Sequence, residues 1–208
     1  MHIFAYTEHT NGIPQNSSMQ ANVIYTSQTD VIEQQVKAAR QLADFVVVGV
    51  HWGIENSHAI ADPQRTLAQN LADWGADLII GTHPHVLQNA QWLTAADGRQ
   101  VFTAYSLGNF ISTQEKPDQL VGAILSVQLE KTTESDGTAR CSVLSPRLLP
   151  TVTHYDAGKS NVRTYLFCDY TEALTKAHGV RQAYPDFSLE MIQSIARENI
   201  DPEFLQLT

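Results

Sequence analysis

The chain has 208 residues, of which 43% are hydrophobic and 17% are charged, and its formal net charge is −9. This composition is typical of a globular protein with a buried core and excludes an intrinsically disordered chain. The negative charge disfavours nucleic acid, anionic membrane surfaces and polyanions as partners bound by bulk electrostatics. No apolar run reaches the roughly 18 residues that a membrane-spanning helix needs, and the opening MHIFAYTEHTNG predicts no signal peptide.

The first part of the chain predicts alternating helices and strands. A short strand, Ile3–Thr7, is followed by a loop from His9 to Ser18 that is rich in Asn, Gly, Pro and Ser. Two helix–strand units come next, and such units indicate an α/β fold with a mainly parallel sheet. Their predicted elements are the helix Asp30–Ala43, with Asp30 as cap and Glu33 completing a capping box, the strand Phe45–Val50, a helix from Asp62 that stops at Gly75, and the strand Leu78–Ile80.

From Val86 onward the pattern becomes rich in β-strands, which we expect to form the second sheet of a sandwich. The predicted strands are Gln91–Thr94, Val101–Tyr105, Gly122–Lys131 and Ala139–Leu149, with turns at 96–98 and 135–137. Two helices are predicted near the end, Thr171–His178 and Ser188–Asn199, the second capped by Ser188. Cys141 and Cys168 are compatible with one disulfide or with two free thiols.

The absence of a long linker or an internal repeat indicates one domain over residues 1–208. Within it we distinguish a motif core at 44–110, a β-rich part at 90–150 and a C-terminal extension at 165–208.

Two predicted strands are each followed by histidine. His51 directly follows the second strand, and the pair His83 and His85 follows the third. Because α/β folds place their sites at the carboxyl ends of parallel strands, we expect these imidazoles to lie close together. In an extended or loop segment the His-Pro-His spacing points both rings to one side, and Pro84 restricts the backbone. A divalent metal site is the favoured interpretation, and ordinary polar residues at strand ends are the alternative.

Three further residues are candidates for contacts with a substrate. Glu55 lies four residues after His51 and could orient a ligand or contact substrate, although an exposed loop carboxylate is as plausible. Asn109 follows a strand and could present its amide to a phosphate or carboxylate, but it also suits a turn. His58 could face the substrate or lie exposed in its loop.

Several motifs, taken together and in order, resemble a known family. HWGIE, the residues Pro63, Gln64 and Leu67, then GADLIIGTHPHVLQ and YSLGNF are similar to bacterial capsule-synthesis proteins of the poly-γ-glutamate type. That family belongs to the calcineurin-like metallophosphoesterase superfamily, and the resemblance covers residues 3 to 128. Thr-His-Pro-His resembles the superfamily's Gly-His-x-His motif, and His51 resembles its preceding lone histidine. The resemblance implies a two-metal site in an α/β/β/α sandwich.

The resemblance also implies that this chain corresponds to the second half of such a domain plus a C-terminal helical tail. The first half of the family domain carries a Gly-Asp and an Asn-His motif, and neither occurs here. Three histidines satisfy one cation, so we expect at most one firmly bound divalent ion (Mn²⁺, Zn²⁺, Fe²⁺ or Mg²⁺). We further expect self-association as a homo-oligomer, or a partner chain that supplies the missing half.

Two functions follow from these observations. The first is a metal-dependent hydrolase of the phosphoesterase type, acting on a small molecule or polymer, in which His51 or His83 serves as acid when it is not a ligand. The second is a non-catalytic component of a capsule or polymer machinery that binds a ligand or partner. The chain itself does not reveal its location, and the resemblance implies the cell envelope or the extracellular space.

Overall fold

The computed structural model of the protein describes residues 1–13, 23–133 and 139–208. Its first half consists of β1 (His2–Thr7), α1 (Thr29–Leu42), β2 (Val46–His51), α2 (Asp62–Trp74), β3 (Leu78–Thr82), β4 (Leu87–Thr94) and β5 (Gln100–Leu107). The strands form one sheet in the order β1-β2-β3-β5-β4. Neighbouring strands are parallel except for β4, which is antiparallel to β5. The predicted α/β fold is therefore confirmed.

The second half adds α3 (Pro117–Leu120), β6 (Val121–Thr133), β7 (Ala139–Asp156), β8 (Ser160–Leu166), α4 (Glu172–Ala177) and α5 (Leu189–Asn199). The antiparallel strands β6, β7 and β8 form a separate sheet. The prediction that all later strands belong to the second sheet is wrong, because β5 pairs with β3 and carries β4 with it into the first sheet. The predicted turn at 96–98 is present, whereas the one at 135–137, like residues 14–18 of the predicted loop, lies outside the described residues.

The first sheet separates two hydrophobic cores. One core packs α1 and α2 against one face of the sheet, where β2 contributes Val46, Val48 and Val50. The other packs the opposite face, including Phe45 and Phe102, against β6, β7 and α5. Because side chains alternate along a strand, a central strand that is covered on both faces has to be apolar throughout. This explains the unbroken apolar run of β2.

The helix ends agree with the sequence in part. Gly75 ends α2 with a φ of 122°, and the Ser188 hydroxyl accepts a hydrogen bond from the Met191 amide at the start of α5. By contrast, α1 begins at Thr29 after Gln28, with Asp30 inside its first turn. The predicted capping box at Asp30 is therefore wrong, because the chain enters the helix one residue before Asp30 and this aspartate is not at the cap position.

Two close contacts tie β3 to its surroundings. A Cβ added at Gly81 would lie 1.9 Å from the Tyr105 carbonyl oxygen, so only glycine fits there. The buried Asp77 just before β3 accepts hydrogen bonds from Arg40 at 2.7 Å and Arg99 at 3.3 Å. Burial raises the pKa of Asp77, and these arginines partly offset the rise. Both contacts lie in the half of the fold that positions the histidines.

Both cysteines are free thiols, Cys141 half-buried and Cys168 exposed. Within residues 1–13, 23–133 and 139–208, no helix has the length and apolar character required to span a membrane.

Candidate metal centre

The carboxyl ends of β1, β2 and β3 bring histidines together. In the sheet register Thr7 pairs with His51, and His51 pairs with Thr82, so the residues that follow these strands share one edge. The ring centroids of His51 and His83 are 4.4 Å apart, and those of His83 and His85 are 6.1 Å apart. The structure thus brings together the three histidines that the sequence singled out.

The His83-Pro84-His85 turn has an unexpected backbone conformation. His83 has a φ of 102° and His85 a φ of 62°, so neither residue is extended. The pair therefore lies in a loop rather than in an extended segment, and one ring nitrogen of each histidine lies within 4.8 Å of the other. Non-glycine residues in the left-handed region cost of order 1 kcal/mol each and are concentrated at functional sites. The Pro84 carbonyl accepts a hydrogen bond from the Asn56 amide at 2.8 Å, which helps to hold the turn.

Among the residues that the structure describes, two groups of side chains have the spacing of a metal site. In the first group, one ligand atom each from His9, His51 and His83 lies within 4.8 Å of the others, and the second group has the same property for Glu55, His83 and His85. Imidazole ligands suit ions such as Zn²⁺ and Fe²⁺, and a carboxylate widens the choice to Mn²⁺. Since His83 belongs to both groups, two ions would compete for one side chain.

His9 is the member of this cluster that the sequence analysis missed. Its ring centroid is 4.5 Å from that of His83 and 5.4 Å from that of His51. A signal was available, because His9 follows the short strand β1 as His51 and His83 follow β2 and β3. The Asn, Gly and Pro residues after it led to the assignment of a plain loop.

The tautomer of His51 follows from its hydrogen bonds. The Thr7 hydroxyl donates its one proton to the His9 carbonyl at 2.7 Å, and the same oxygen lies 3.2 Å from Nδ1 of His51. Because the hydroxyl proton is already engaged, Nδ1 of His51 has to be the donor. The lone pair of His51 is then on Nε2, from which a neutral imidazole is able to coordinate a metal ion.

Burial and mutual repulsion keep the central imidazoles neutral. Desolvation lowers the pKa of His51 from its ordinary value, and the neighbouring His83 and His9 lower it further. Desolvation and His9 likewise lower the pKa of His83, while Glu55 acts in the opposite direction. Neutral imidazoles are able to coordinate a cation or accept a proton near pH 7.

The three predicted substrate residues occupy different positions. Glu55 belongs to the second candidate metal group. Asn109 lies against His85, with Oδ1 2.8 Å from the His85 Nδ1. His58 is hydrogen-bonded to the Leu87 carbonyl at 2.7 Å and lies 4.0 Å from Asp118. The substrate contacts of all three residues stay predictions.

Buried amides support the loop that carries Glu55 and His58. The Gln64 side chain accepts a hydrogen bond from the Ala61 amide and donates one to Gln88, and Gln88 donates to the carbonyls of Ser57 and Ala59. Both glutamines are about 1% exposed. An unpaired buried amide is costly, so this fully bonded chain fixes the loop relative to α2 and β4.

Comparison with known proteins assigns the chain to a family. Residues 1–114, more than half of the chain, match the family described as Bacterial capsule synthesis protein PGA_cap. The PGA biosynthesis protein CapA of Bacillus subtilis (strain 168) is 37% identical over 114 residues, which is 55% of this chain and 28% of that protein. The capsule biosynthesis protein CapA of Bacillus anthracis is 40% identical over 89 residues, which is 41% of this chain and 20% of that protein.

The chain therefore matches less than a third of the length of either curated relative. The matched residues contain the whole first sheet and every histidine of the candidate metal centre. The chain belongs to the family of bacterial capsule synthesis proteins.

Proposed function

We propose that this protein is a metal-dependent hydrolase of the phosphoesterase type. Its divalent metal ion would bind where the carboxyl ends of the parallel strands of the first sheet meet. The observation that carries the proposal is the convergence of His9, His51 and His83, whose ligand atoms lie within 4.8 Å of one another. Three imidazoles that converge from three different strand ends have few purely structural explanations, because withdrawing several bases from water side by side costs solvation.

Each side chain of the site would have a distinct role in this activity. His9, His51 and His83 would hold the ion, and Glu55 and His85 would complete its surroundings or contact substrate. A bound divalent cation polarises a phosphoryl or acyl oxygen and lowers the pKa of bound water. His83 or His51, when not engaged as a ligand, would hold the proton that the leaving group needs. The Thr7 hydroxyl keeps His51 in the required tautomer.

The wider setting of this activity is also part of the proposal. Membership of the capsule synthesis family supports a role at the cell envelope, with an anionic capsule polymer such as poly-γ-glutamate, or a small-molecule precursor, as substrate. Two observations support a calcineurin-like α/β/β/α sandwich. The two sheets pack against each other, and helices cover the outer face of the first sheet.

A second candidate function has one observation in its favour. Both candidate metal groups use His83, so the described residues favour one ion over two. A single ion suits a non-catalytic component that binds a ligand or partner of the capsule machinery as well as it suits a hydrolase.

Metal analysis combined with a turnover assay separates these functions. Protein stripped by a chelator and reloaded with Zn²⁺ or Mn²⁺ should retain at most one equivalent after dialysis. H9A and H83A should weaken binding by more than about tenfold, as loss of metal-site partners typically does. The matched control is H2A, which removes an exposed histidine at the opposite end of β1.

Hydrolysis of a chromogenic phosphodiester by the loaded wild type, absent in H83A, would support the hydrolase. Tight binding of one ion without turnover would favour the binding component. Failure of the wild type to retain either metal would overturn the proposed site.

A further inference from the structure

Asn109 lies at the centre of a set of hydrogen bonds beside the candidate metal centre. Its side-chain nitrogen Nδ2 faces three acceptors, the His85 carbonyl at 3.2 Å, the Gln119 carbonyl at 2.9 Å and Oε1 of Gln114 at 2.6 Å. Its Oδ1 lies 2.8 Å from Nδ1 of His85. Asn109 thus contacts both the backbone and the ring of the same histidine.

The two backbone carbonyls determine which way round the Asn109 amide lies. A carbonyl oxygen can only accept a hydrogen bond, so the nitrogen end of the amide has to face His85 O and Gln119 O. The reversed amide would place Oδ1 against both carbonyls and would lose these bonds. Oδ1 must therefore face the imidazole, and since Oδ1 only accepts, Nδ1 of His85 has to carry the proton.

Neighbouring amides hold Asn109 and the turn in place. The Gln119 side chain accepts a hydrogen bond from the Lys116 amide and donates one to Oδ1 of Asn56. The backbone amide of Asn56 in turn donates to the Pro84 carbonyl. The left-handed backbone at His85 is thereby bonded to the loop after β5, to α3 and to the loop that carries Glu55.

We propose that Asn109 is a positioning residue that fixes the tautomer and ring orientation of His85. With the proton held on Nδ1, the lone pair of His85 is on Nε2, the nitrogen on the far side of the ring from Asn109. Ligating histidines commonly donate their second nitrogen to an oxygen acceptor in this way, and loss of that acceptor weakens metal binding. The effect on metal binding rests on the proposed function, whereas the tautomer is a property of the metal-free protein.

Ring nitrogen shifts of His85 test the inference directly. Long-range proton–nitrogen correlation spectra of ¹⁵N-labelled, metal-free protein at a fixed, mildly alkaline pH should show the Nδ1–H tautomer. N109A should shift His85 toward the Nε2–H tautomer, and N109D, which keeps an acceptor oxygen, should retain the Nδ1–H form. The matched control is Q69A, which removes a half-buried amide on α2 that bonds Asp73 and the Thr94 carbonyl and should leave the His85 signals unchanged.

A competition assay with Zn²⁺ gives the second readout. N109A should bind Zn²⁺ about 10- to 100-fold more weakly than the wild type, whereas Q69A should stay near the wild-type affinity. An Nε2–H tautomer in the wild type, or an unchanged tautomer in N109A, would overturn the positioning role. The wild-type spectrum decides this even if N109A does not fold. Zn²⁺ that fails to bind the wild type would refute the metal site and leave the tautomer result standing.

Discussion

Acid should destabilise this protein through His178, a histidine far along the chain from the candidate metal centre. His178 is 2% exposed, accepts a hydrogen bond from the Val180 amide at Nδ1 and lies with Nε2 2.9 Å from the Thr153 carbonyl. A carbonyl only accepts, so Nε2 carries the proton and the ring is neutral. Burial lowers the pKa of His178 from 6.5 to about 4, and the nearby His154 acts in the same direction.

The sign and size of the effect follow from this difference in pKa. Between pH 6.5 and about 4 the unfolded chain binds a proton at His178 that the folded protein does not bind. Stability therefore rises with pH in this window, is fully present above 6.5 and falls as the pH drops toward 4. A difference of about 2.5 units corresponds to about 3 kcal/mol, a large share of the 5–15 kcal/mol typical of a folded protein.

Urea unfolding at a series of pH values measures this contribution. The variant H178Q keeps an acceptor for the Val180 amide and a donor for the Thr153 carbonyl, but it has no group that titrates. Between neutral pH and about pH 4 the wild type should lose about 3 kcal/mol more than H178Q. The pKa shifts of His51 and His83, which lie in the candidate metal centre, affect both proteins equally, and the exposed His2, changed to Gln, provides the control. Parallel pH profiles for wild type and H178Q would refute the reasoning.

Three other changes have defined outcomes. Gly81→Ala places a Cβ 1.9 Å from the Tyr105 carbonyl and should destabilise by about 3 kcal/mol or more, whereas Gly49→Ala, whose Cβ would lie 3.6 Å from its nearest neighbour, should cost far less in the same urea titration. Asp77→Ala leaves two arginines without their buried carboxylate and should cost about 3–5 kcal/mol, with Asp73→Ala on the surface of α2 as control. Sedimentation at low micromolar concentration should show self-association, and a cooperative monomer of 23.1 kDa that binds no hydrophobic dye would contradict that expectation.

The sequence predicted best the elements whose pattern is local. Helices α1 and α2 and the strands β2 and β3 were found because their apolar spacing directly reflects burial on one or both faces. Strand β8 was missed because most of its residues are exposed or half-buried and mixed in polarity, so its position depends on pairing with β7. The sheet membership of β4 and β5 was misassigned because pairing between distant strands is decided by tertiary packing.

The same distinction applies to the candidate site. His51 and His83 were identified because each follows an apolar strand, and His85 because a single proline separates it from His83. His9 carries the same strand-end signal, but the Asn, Gly and Pro residues after it indicated a plain loop, and the pairing of β1 parallel to β2 is what brings it to the shared edge. The left-handed backbone of the His-Pro-His turn is held by Asn56 and Asn109, which are distant in sequence, so no local pattern predicts it.

The two hydrophobic cores on the faces of the first sheet place different limits on sequence change in the two parts of the chain. Residues 1–114, which match the family, build the whole sheet, yet the face that carries Phe45 and Phe102 is covered by side chains that come after residue 114, including Leu148 and Phe187. The end of the family match at residue 114 is therefore not the end of a unit that could fold independently. The residues after 114 that pack on this face need apolar side chains of suitable volume more than particular residue types. Their sequence is therefore free to diverge while the sheet that carries the histidines stays similar.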